Sequence, residues 1–284
     1  MIVQRAGSYL CLVDLGRKGM EQLGVPRGGA MDTTSHLSAN SMLGIDPSSP
    51  TVELFEAGHI FLFEESMSIA LSGAIAKISL DNTTGITPQI LDVRAGSQLR
   101  INQFIQGSRV YMAFSRKMNR KPVLNSFSPL NGYENQSFSS GSKISFDTAH
   151  PRTTTHSRLR SSTLQSQPAQ WLPGPEWNLL SQSQQKVILN QDHIISPANS
   201  RMGYRLEIHP KLRHQHSMLS SPVLPGTVQL TPDGALIILM RDCQTTGGYP
   251  RIMILDEASI NQIAQRSAGD RVTFRIEEIC ETPF

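Results

Sequence analysis

A run of polar side chains beside two glycines is the part of this sequence best suited to chemistry. It follows the apolar stretch 235–240 and consists of Gln244, Thr245, Thr246, Gly247, Gly248 and Tyr249. The amide, hydroxyl and phenol groups can donate and accept hydrogen bonds, and glycine lets a ligand approach the backbone closely. Such neutral donors suit an oxyanion, a phosphate or an amide ligand. The same composition is common in turns, so a ligand site and a plain turn both stay open.

A second candidate lies where a strand is expected to begin. Arg201 and Arg205 flank Gly203 and Tyr204 in the segment "SRMGYRLE". Arginine binds carboxylates and phosphates through two parallel hydrogen bonds, so the two residues can hold an anionic substrate. The structural alternative is an ion pair between Arg205 and Glu207, since residues i and i+2 share one face of a strand.

A third candidate is the segment "DLGRKGMEQLGVPRGGAMD", which holds five glycines and begins and ends with an aspartate, Asp14 and Asp32. Close approach to a ligand and tight loop geometry each explain the glycines. Asp32 also fits the N-cap of a helix running to Leu43, and Asp14 can form an ion pair with Arg17, which would be structural roles.

Metal chemistry has little support in the sequence. Cys11, Cys243 and Cys280 lack metal-ligand spacing, and "HPKLRHQH" has no acidic or cysteine neighbour, so no metal is predicted. The phosphate loop G-x-x-x-x-G-K-[ST], the nucleophile elbow G-x-S-x-G and the zinc helix H-E-x-x-H are also missing.

The composition indicates a globular protein. Of 284 residues, 38% are hydrophobic and 17% are charged, and the net charge of +3 comes from scattered residues, which argues against nucleic-acid binding. We expect no membrane span, because no apolar run approaches 18 residues, and no signal peptide. The odd cysteine count without a disulfide framework favours a cytoplasmic protein.

The elements that must position these residues are mostly strands. Many short segments alternate apolar and polar residues, as in "SMSIALS" and "DRVTFRI", which predicts a mainly β protein with barrels or sandwiches. Short helices are expected after the caps Asp32, Ser181 and Asp256, and Pro232-Asp233-Gly234 predicts a hairpin. We expect an N-terminal domain at 1–135, a polar linker at 136–170 and a C-terminal domain at 171–284.

Three of these stretches, in this order, resemble one known family. They are "DLGRKG…GVPRGGAMD", "SRMGYRLE" and "PGTVQLTPDGALIIL…DCQTTGGYP", joined by "VELFEAG" and "LPGPEW". Together they resemble the biotin-dependent carboxyltransferase-like proteins, and the similarity runs from about residue 7 to 277. That family includes the C-type subunit of bacterial 5-oxoprolinase, the KipI antagonist, the protein once labelled allophanate hydrolase subunit 2, and the carboxyltransferase domain of urea amidolyase.

The resemblance implies two cyclophilin-like β-barrel domains and a hetero-oligomeric complex. The implied partners are a subunit-B-like (KipI-like) protein and a subunit-A-like protein, which with this chain would hydrolyse 5-oxoproline to glutamate at the expense of ATP. The absence of a biotin-carrying lysine motif and of an ATP-grasp region in this chain favours that function. The alternative uses the same loops to move a carboxyl group from carboxybiotin to an amide nitrogen.

Site residues follow from the resemblance. Gln244, Thr245 and Thr246 would hold the substrate amide or a phosphorylated intermediate, and Asp32 and Asp242 would act as acid, base or orienting groups. The predicted catalytic residues are therefore Asp32, Asp242 and Thr246. The predicted substrate-binding residues are Gln244, Thr245, Gly247, Gly248, Tyr249, Arg201, Tyr204, Arg205, Asp14 and Arg17.

The sequence also departs from the family pattern. Ser115-Arg116 replace a Gly-Gly pair, "NSFSPLNGYEN" stands where Gly-Ser-Arg-Ser-Thr-Tyr is expected, and Cys243 replaces an arginine. Two expected positive charges are therefore absent or moved. These departures favour a third hypothesis, in which the chain is a non-catalytic regulator that binds a subunit-B-like partner.

Overall fold

The structure is a computed structural model, and it describes residues 1–130, 137–147, 167–216 and 218–276. The chain forms two compact units. Unit 1 comprises Met1–Lys18 and Gly28–Leu164, and unit 2 comprises Gly19–Arg27 and Gln165–Phe284. Of the described residues, 41% are in strands and 13% in helices, which confirms the predicted mainly β class with barrel-like sheets.

Unit 1 is built on one sheet of eight strands, in which β1–β4–β8–β3–β2 are consecutive neighbours and β5 pairs with β6, β7 and β8. The strands are β1 (Ile2–Arg5), β2 (Tyr9–Val13), β3 (Thr51–Phe55), β4 (Ile60–Leu62), β5 (Met67–Leu80), β6 (Thr83–Ile86), β7 (Gln89–Val93) and β8 (Gln98–Phe114). The long strands β5 and β8 pair along almost their whole length, from Ile69 opposite Phe114 to Leu80 opposite Leu99.

The end of β8 shows why its sequence "VYMAF" is wholly apolar. Val110, Met112 and Phe114 point into the main core of unit 1, whereas Tyr111 and Ala113 pack in a second cluster with residues of helix α1 (Thr33–Met42). Alternate side chains of a strand face opposite sides of a sheet, so both faces of β8 are covered here. The helix therefore closes the outer face of the sheet.

Unit 2 contains a second eight-stranded sheet, in the order β17–β10–β11–β14–β13–β16–β9–β18, and a separate pair formed by β12 and β15. The strands are β9 (Ala169–Pro173), β10 (His193–Asn199), β11 (Gly203–Glu207), β12 (Ser221–Pro222), β13 (Thr227–Leu230), β14 (Leu236–Leu239), β15 (Thr246–Gly247), β16 (Arg251–Leu255), β17 (Arg271–Val272) and β18 (Phe274–Ile276). The predicted hairpin joins β13 to β14, with Gly234 at a φ of 84°.

The helices begin at the predicted caps. Besides α1, the described residues form α2 (Gln182–Leu189), α3 (Glu257–Ala264) and the short 3-10 turns Glu21–Leu23 and Trp177–Leu179. Ser181 and Gln184 form a full capping box before α2, and Asp256 accepts a hydrogen bond from the backbone N–H of Ser259 before α3. Each cap satisfies backbone N–H groups that the first helical turn leaves free.

Residues 137–147 differ from the predicted linker. Phe138, Ile144 and Phe146 are buried in the core of unit 1. The N–H groups of Ile144 and Gly141 donate to the carbonyls of Met1 and Val3, respectively. Three large apolar residues spread among serines are enough to anchor this segment, although its average composition is polar. The remainder of the predicted linker, residues 148–166, lies outside the described residues, as do residues 131–136.

Among the described residues, no helix has both the length and the apolar character needed to cross a membrane.

Candidate functional site

The loop between β14 and β16 has a firmly held backbone. The N–H of Val223 donates to the Thr245 carbonyl at 3.0 Å, and β15 pairs with β12 through Thr246–Pro222 and Gly247–Ser221. The N–H of Leu230 donates to the carbonyl of Pro250 at 3.0 Å. Residues 244–249, called the amide loop below, are therefore fixed at both ends.

The side chains of the amide loop are left for other partners. Gln244 and Thr245 are half-buried, Thr246 is exposed, and Tyr249 is 42% exposed. Within the part of the chain that the structure describes, the side chains of these four residues make no hydrogen bond. A rigid backbone with free hydroxyl, amide and phenol groups is the arrangement that a preorganised ligand site needs.

A partly buried ion pair holds the strand that follows the loop. Arg251 binds both carboxylate oxygens of Glu176 at 2.9 and 2.8 Å and also donates to the Pro222 carbonyl at 3.1 Å. The hydrogen bond from Arg251 lowers the pKa of Glu176. Gly174 is required beside it, since a Cβ there would lie 2.1 Å from the Arg251 carbonyl oxygen. The segment "LPGPEW" thus supports the amide loop, a role that the sequence alone did not suggest.

Asp242 and Arg201 bind each other rather than standing free. The guanidinium group donates to Oδ2 at 2.7 Å and to Oδ1 at 3.0 Å, and the backbone N–H of Asp242 donates to the Arg201 carbonyl. The exposed fractions of the side chains are 9% for arginine and 21% for aspartate. A bidentate pair of this kind occupies the groups that were predicted to act on substrate, so their first role is to anchor the start of the loop.

Two further predicted binding residues have structural placements. Tyr204 is fully buried in strand β11, where its side chain packs inside unit 2. Arg205 pairs with Asp233 of the hairpin turn on the surface, and the predicted alternative partner Glu207 is not the one it uses. The ion pair of Arg205 was not visible in the sequence, because Asp233 lies 28 residues further along the chain.

Cys243 and Arg241 flank Asp242 and are both buried. Burial, followed by the charge of Asp242, raises the pKa of the Cys243 thiol to about 12, so the thiolate that a nucleophile needs is not formed at neutral pH. Arg241 donates to both oxygens of Glu257 and to Asn261 of helix α3. Arg201, Arg241 and Arg251 thus each form an ion pair with a carboxylate.

In unit 1, Asp14 fastens a distant segment instead of pairing with Arg17. Its carboxylate accepts hydrogen bonds from the Ser126 hydroxyl at 2.7 Å, the Phe127 N–H at 2.7 Å and the Ser128 hydroxyl at 3.1 Å. These serines belong to "NSFSPLNGYEN", the segment that departs from the family pattern. Within that segment, Asn125 takes a positive φ of 59°, a conformation that asparagine tolerates better than most residues.

Arg17 holds the same segment from the other side. Its guanidinium group donates to the carbonyls of Val123, Ser128 and Pro129, and the residue is 1% exposed. Asp14 and Arg17 therefore stabilise a loop of unit 1 through these internal bonds.

Asp32 is the N-cap of α1. It accepts hydrogen bonds from the Ser35 N–H at 3.0 Å and from the Ser35 hydroxyl at 2.5 Å, and it is 3% exposed. Both carboxylate oxygens are engaged, so capping is sufficient to account for an aspartate at this position.

A buried network beneath this cap was missed at the sequence level. The Tyr111 hydroxyl donates to Glu53 at 2.8 Å and accepts from the Asp32 N–H at 2.8 Å, while Glu53 also accepts from the Met31 N–H. Arg109 Nε lies 3.7 Å from the same carboxylate. The polar residue in "VELF" was the available signal, since a glutamate in a wholly apolar strand must have buried partners.

Unit 1 also contains an open cavity of about 550 Å³. Its walls include Ser115 and Arg116, which replace the expected Gly-Gly pair, together with Phe127. Arg116 is paired with Glu65, and the Ser115 hydroxyl accepts from the Ser68 N–H at 3.0 Å. Among the described residues, no group of three or more histidine, cysteine or acidic side chains is placed to hold a metal ion.

The sequence of these two mainly β units identifies the family to which the chain belongs. The family described as "Carboxyltransferase domain, subdomain A and B" matches residues 23–276, and the chain belongs to this family. The crystal structure of TTHA0988 has the same fold, with a TM-score of 0.86 and 24% identity, over 96% of this chain and 55% of that chain. The Kluyveromyces lactis urea carboxylase gives a TM-score of 0.82 at 20% identity, over 96% of this chain and 27% of that chain.

The chain is also similar to individual curated proteins of known name. The chain is 31% identical to the C-type subunit of 5-oxoprolinase from Escherichia coli strain K12, over 95% of this chain and 89% of that protein. It is 27% identical to the C-type 5-oxoprolinase subunit of Haemophilus influenzae, over 96% and 90%. It is 24% identical to the urea amidolyase of Lachancea kluyveri, of which it covers 16%.

Proposed function

We propose that this chain is a C-type subunit of an ATP-dependent 5-oxoprolinase that opens the lactam of 5-oxoproline to L-glutamate. The observation that carries the proposal is its 31% identity to the C-type 5-oxoprolinase subunit of Escherichia coli, across 95% of one chain and 89% of the other. The partners would be a subunit-A-like and a subunit-B-like (KipI-like) protein. Among the described residues, Cys11 and Cys243 are buried and form no disulfide, which suits the reducing cytoplasm in which we place the complex.

The amide loop supports this function chemically. A lactam presents one carbonyl acceptor and one N–H donor side by side, and Gln244, Thr245 and Thr246 offer matching donors and acceptors. We assign Thr246 to orienting the reacting amide, since its hydroxyl is exposed and its backbone is held in β15. Gly247, Gly248 and Tyr249 complete the binding surface in this proposal.

The same loop fits a triphosphate poorly. Arg241 and Arg251, which flank it in sequence, and Arg201, which binds Asp242, are each paired with a carboxylate. Phosphate binding relies on free cations or an array of backbone N–H groups. We therefore assign ATP to the partner proteins, with this chain binding and orienting the amide.

The description of the matching family supports a second candidate function, that of a carboxyltransferase. The matching family is described as a carboxyltransferase domain, and biotin carries a cyclic ureido group whose donors and acceptors resemble those of a lactam. The amide loop therefore fits either ring. In the carboxyltransferase function, carboxybiotin would donate a carboxyl group to an amide nitrogen.

The test is reconstitution with the subunit-A-like and subunit-B-like proteins of the same host. We expect ADP and glutamate to form together from ATP and 5-oxoproline only when this chain is present. Failure of turnover with retained co-elution with the subunit-B-like protein would replace the enzyme function with regulation. Thermal stabilisation by millimolar biotin, without turnover of 5-oxoproline, would favour the carboxyltransferase function instead.

Thr246→Val tests the loop within the active complex. The change removes one hydroxyl from an exposed residue of similar shape, and we expect kcat/KM to fall about 10- to 100-fold with an unchanged Tm. Thr83→Val on strand β6 is the matched control, because Thr83 is also an exposed strand threonine. Equal activity of the two variants would remove Thr246 from the site.

A further inference from the structure

A buried amide lies directly beneath the amide loop. Gln229 is 1% exposed on strand β13, whose four residues are all buried. Val228 and Leu230 point to one face of the sheet, which leaves Thr227 and Gln229 on the other. The register between β13 and β16 shifts between Val228 and Gln229, and irregularities of this kind re-aim a side chain.

The side chain of Gln229 contacts the loop at two places. Its Nε2 donates to the Tyr249 carbonyl at 3.4 Å. A Cβ added at Gly247 would lie 2.6 Å from the same nitrogen, which is closer than real Cβ contacts allow. One amide group therefore spans the stretch from Gly247 to Tyr249.

The two glycines of the loop have different reasons to be glycine. A Cβ at Gly247 would meet the end of the Gln229 side chain, so Gln229 would have to move from its present position to make room for it. At Gly248 an added Cβ would meet its nearest atom, the Met218 carbonyl oxygen, at 3.7 Å, an ordinary contact. Neither glycine has a positive φ, so conformational freedom does not explain Gly247.

We propose that Gln229 is a positioning residue for the amide loop, matched to the missing side chain at Gly247. It fixes the backbone from Gly247 to Tyr249, and through it the hydroxyl of the neighbouring Thr246. A residue without an N–H donor would leave the Tyr249 carbonyl without this partner. The effect of Gln229 on substrate binding rests on the function proposed for the amide loop. Its effect on the backbone of residues 247–249 does not depend on that function.

The experiment is a double-mutant cycle in the reconstituted complex. Gln229→Met keeps the length of the side chain and removes the donor, and Gly247→Ala adds the clashing methyl group. We expect each single variant to raise KM for 5-oxoproline about 3- to 10-fold, with a smaller change in kcat. The combined variant should be no worse than Gln229→Met alone, because a methionine that is not hydrogen-bonded to the Tyr249 carbonyl can move away from the added methyl group.

Hydrogen exchange gives a readout that does not require turnover. The amides of residues 247–249 should exchange faster in Gln229→Met, while those of strand β14 stay as slow as in the unmodified chain. Gly248→Ala, the steric control, should keep its Tm. This part of the test remains decisive if the chain proves not to be a 5-oxoprolinase subunit.

Several outcomes would overturn the proposal. The first is an unchanged KM together with unchanged hydrogen exchange in Gln229→Met. The second is additivity of the effects of Gln229→Met and Gly247→Ala. The third is a loss of Tm in Gly248→Ala as large as that in Gly247→Ala. If Gln229→Met does not fold, Gln229→Asn replaces it, since a shorter amide keeps the donor but cannot reach both contacts. Intermediate exchange in that variant supports positioning, and exchange equal to the unmodified chain contradicts it.

Discussion

At the scale of single residues, the polar groups of unit 1 serve mainly to hold backbone. Tyr111 and Glu53 satisfy the N–H groups of Met31 and Asp32 inside a fully buried network. Burial, followed by the charges of Glu53 and Asp32, raises the pKa of Tyr111 well above its ordinary value, so its hydroxyl stays protonated and able to donate. Such networks are costly when one member is removed, because the others stay buried without partners.

Tyr111→Phe tests that cost. We expect the free energy of unfolding to fall by about 1–3 kcal/mol, since the Asp32 N–H and the Glu53 carboxylate both lose a partner. Urea denaturation measures the change. Tyr249→Phe is the matched control, and because Tyr249 is exposed it should change stability by no more than about 0.5 kcal/mol. Equal losses in the two variants would contradict the proposed network.

At the scale of elements, helix α1 explains the predicted catalytic residue Asp32. Its carboxylate caps the helix through the Ser35 N–H, and the same type of bond joins Asp256 to Ser259 at the start of α3. In both caps the carboxylate accepts from the backbone N–H three residues further on, although the backbone angles of the two aspartates differ. Capping is therefore sufficient to account for an aspartate at this position.

Substitution of Asp32 separates capping from catalysis. Asp32→Ala should lower the free energy of unfolding by about 0.5–2 kcal/mol, whereas Asp32→Ser retains a capping oxygen and should lose much less. Asp256→Ala should show a loss of similar size in unit 2. Unfolding curves of the three variants measure the loss of stability, and turnover of the reconstituted complex measures their catalytic activity. A folded Asp32→Ser variant without turnover would restore the catalytic assignment.

At the scale of the whole molecule, buried histidines make stability depend on pH. Burial lowers the pKa of His36 and His59 in unit 1 and of His193 in unit 2. His59 shows why the neutral form is required: its Nδ1 accepts from the Gly7 N–H at 3.0 Å, and its Nε2 lies 3.2 Å from the Phe55 carbonyl. A proton on Nδ1 would face that N–H.

Stability is therefore expected to fall as the solution becomes acidic. The folded pKa values lie below the unfolded value of about 6.5, so the stabilisation is fully present above that pH. It is lost progressively as the pH falls from about 6.5 toward the folded pKa values. Denaturation midpoints between pH 8 and 5, with imidazole titration by NMR, measure the effect. Constant or rising midpoints below pH 6.5 would refute it.

The sequence by itself determined the local structure and the family. The caps at Asp32, Ser181 and Asp256 and the hairpin at residues 232–234 follow from interactions within a few residues, which spacing can reveal. The order of the motifs likewise predicted the carboxyltransferase family and the relation to the C-type subunits of 5-oxoprolinase.

Only the tertiary structure decided which polar residues are engaged. Arg201 donates to Asp242 at a sequence separation of 41 residues, and Ser126 donates to Asp14 at a separation of 112 residues. Gln229 donates to the Tyr249 carbonyl at a separation of 20 residues. The anchoring of residues 137–147 was decided in the same way, by single side chains that fit the core of unit 1. The physical reason is that such partners are selected by chain folding at long sequence separation, and no spacing rule encodes them.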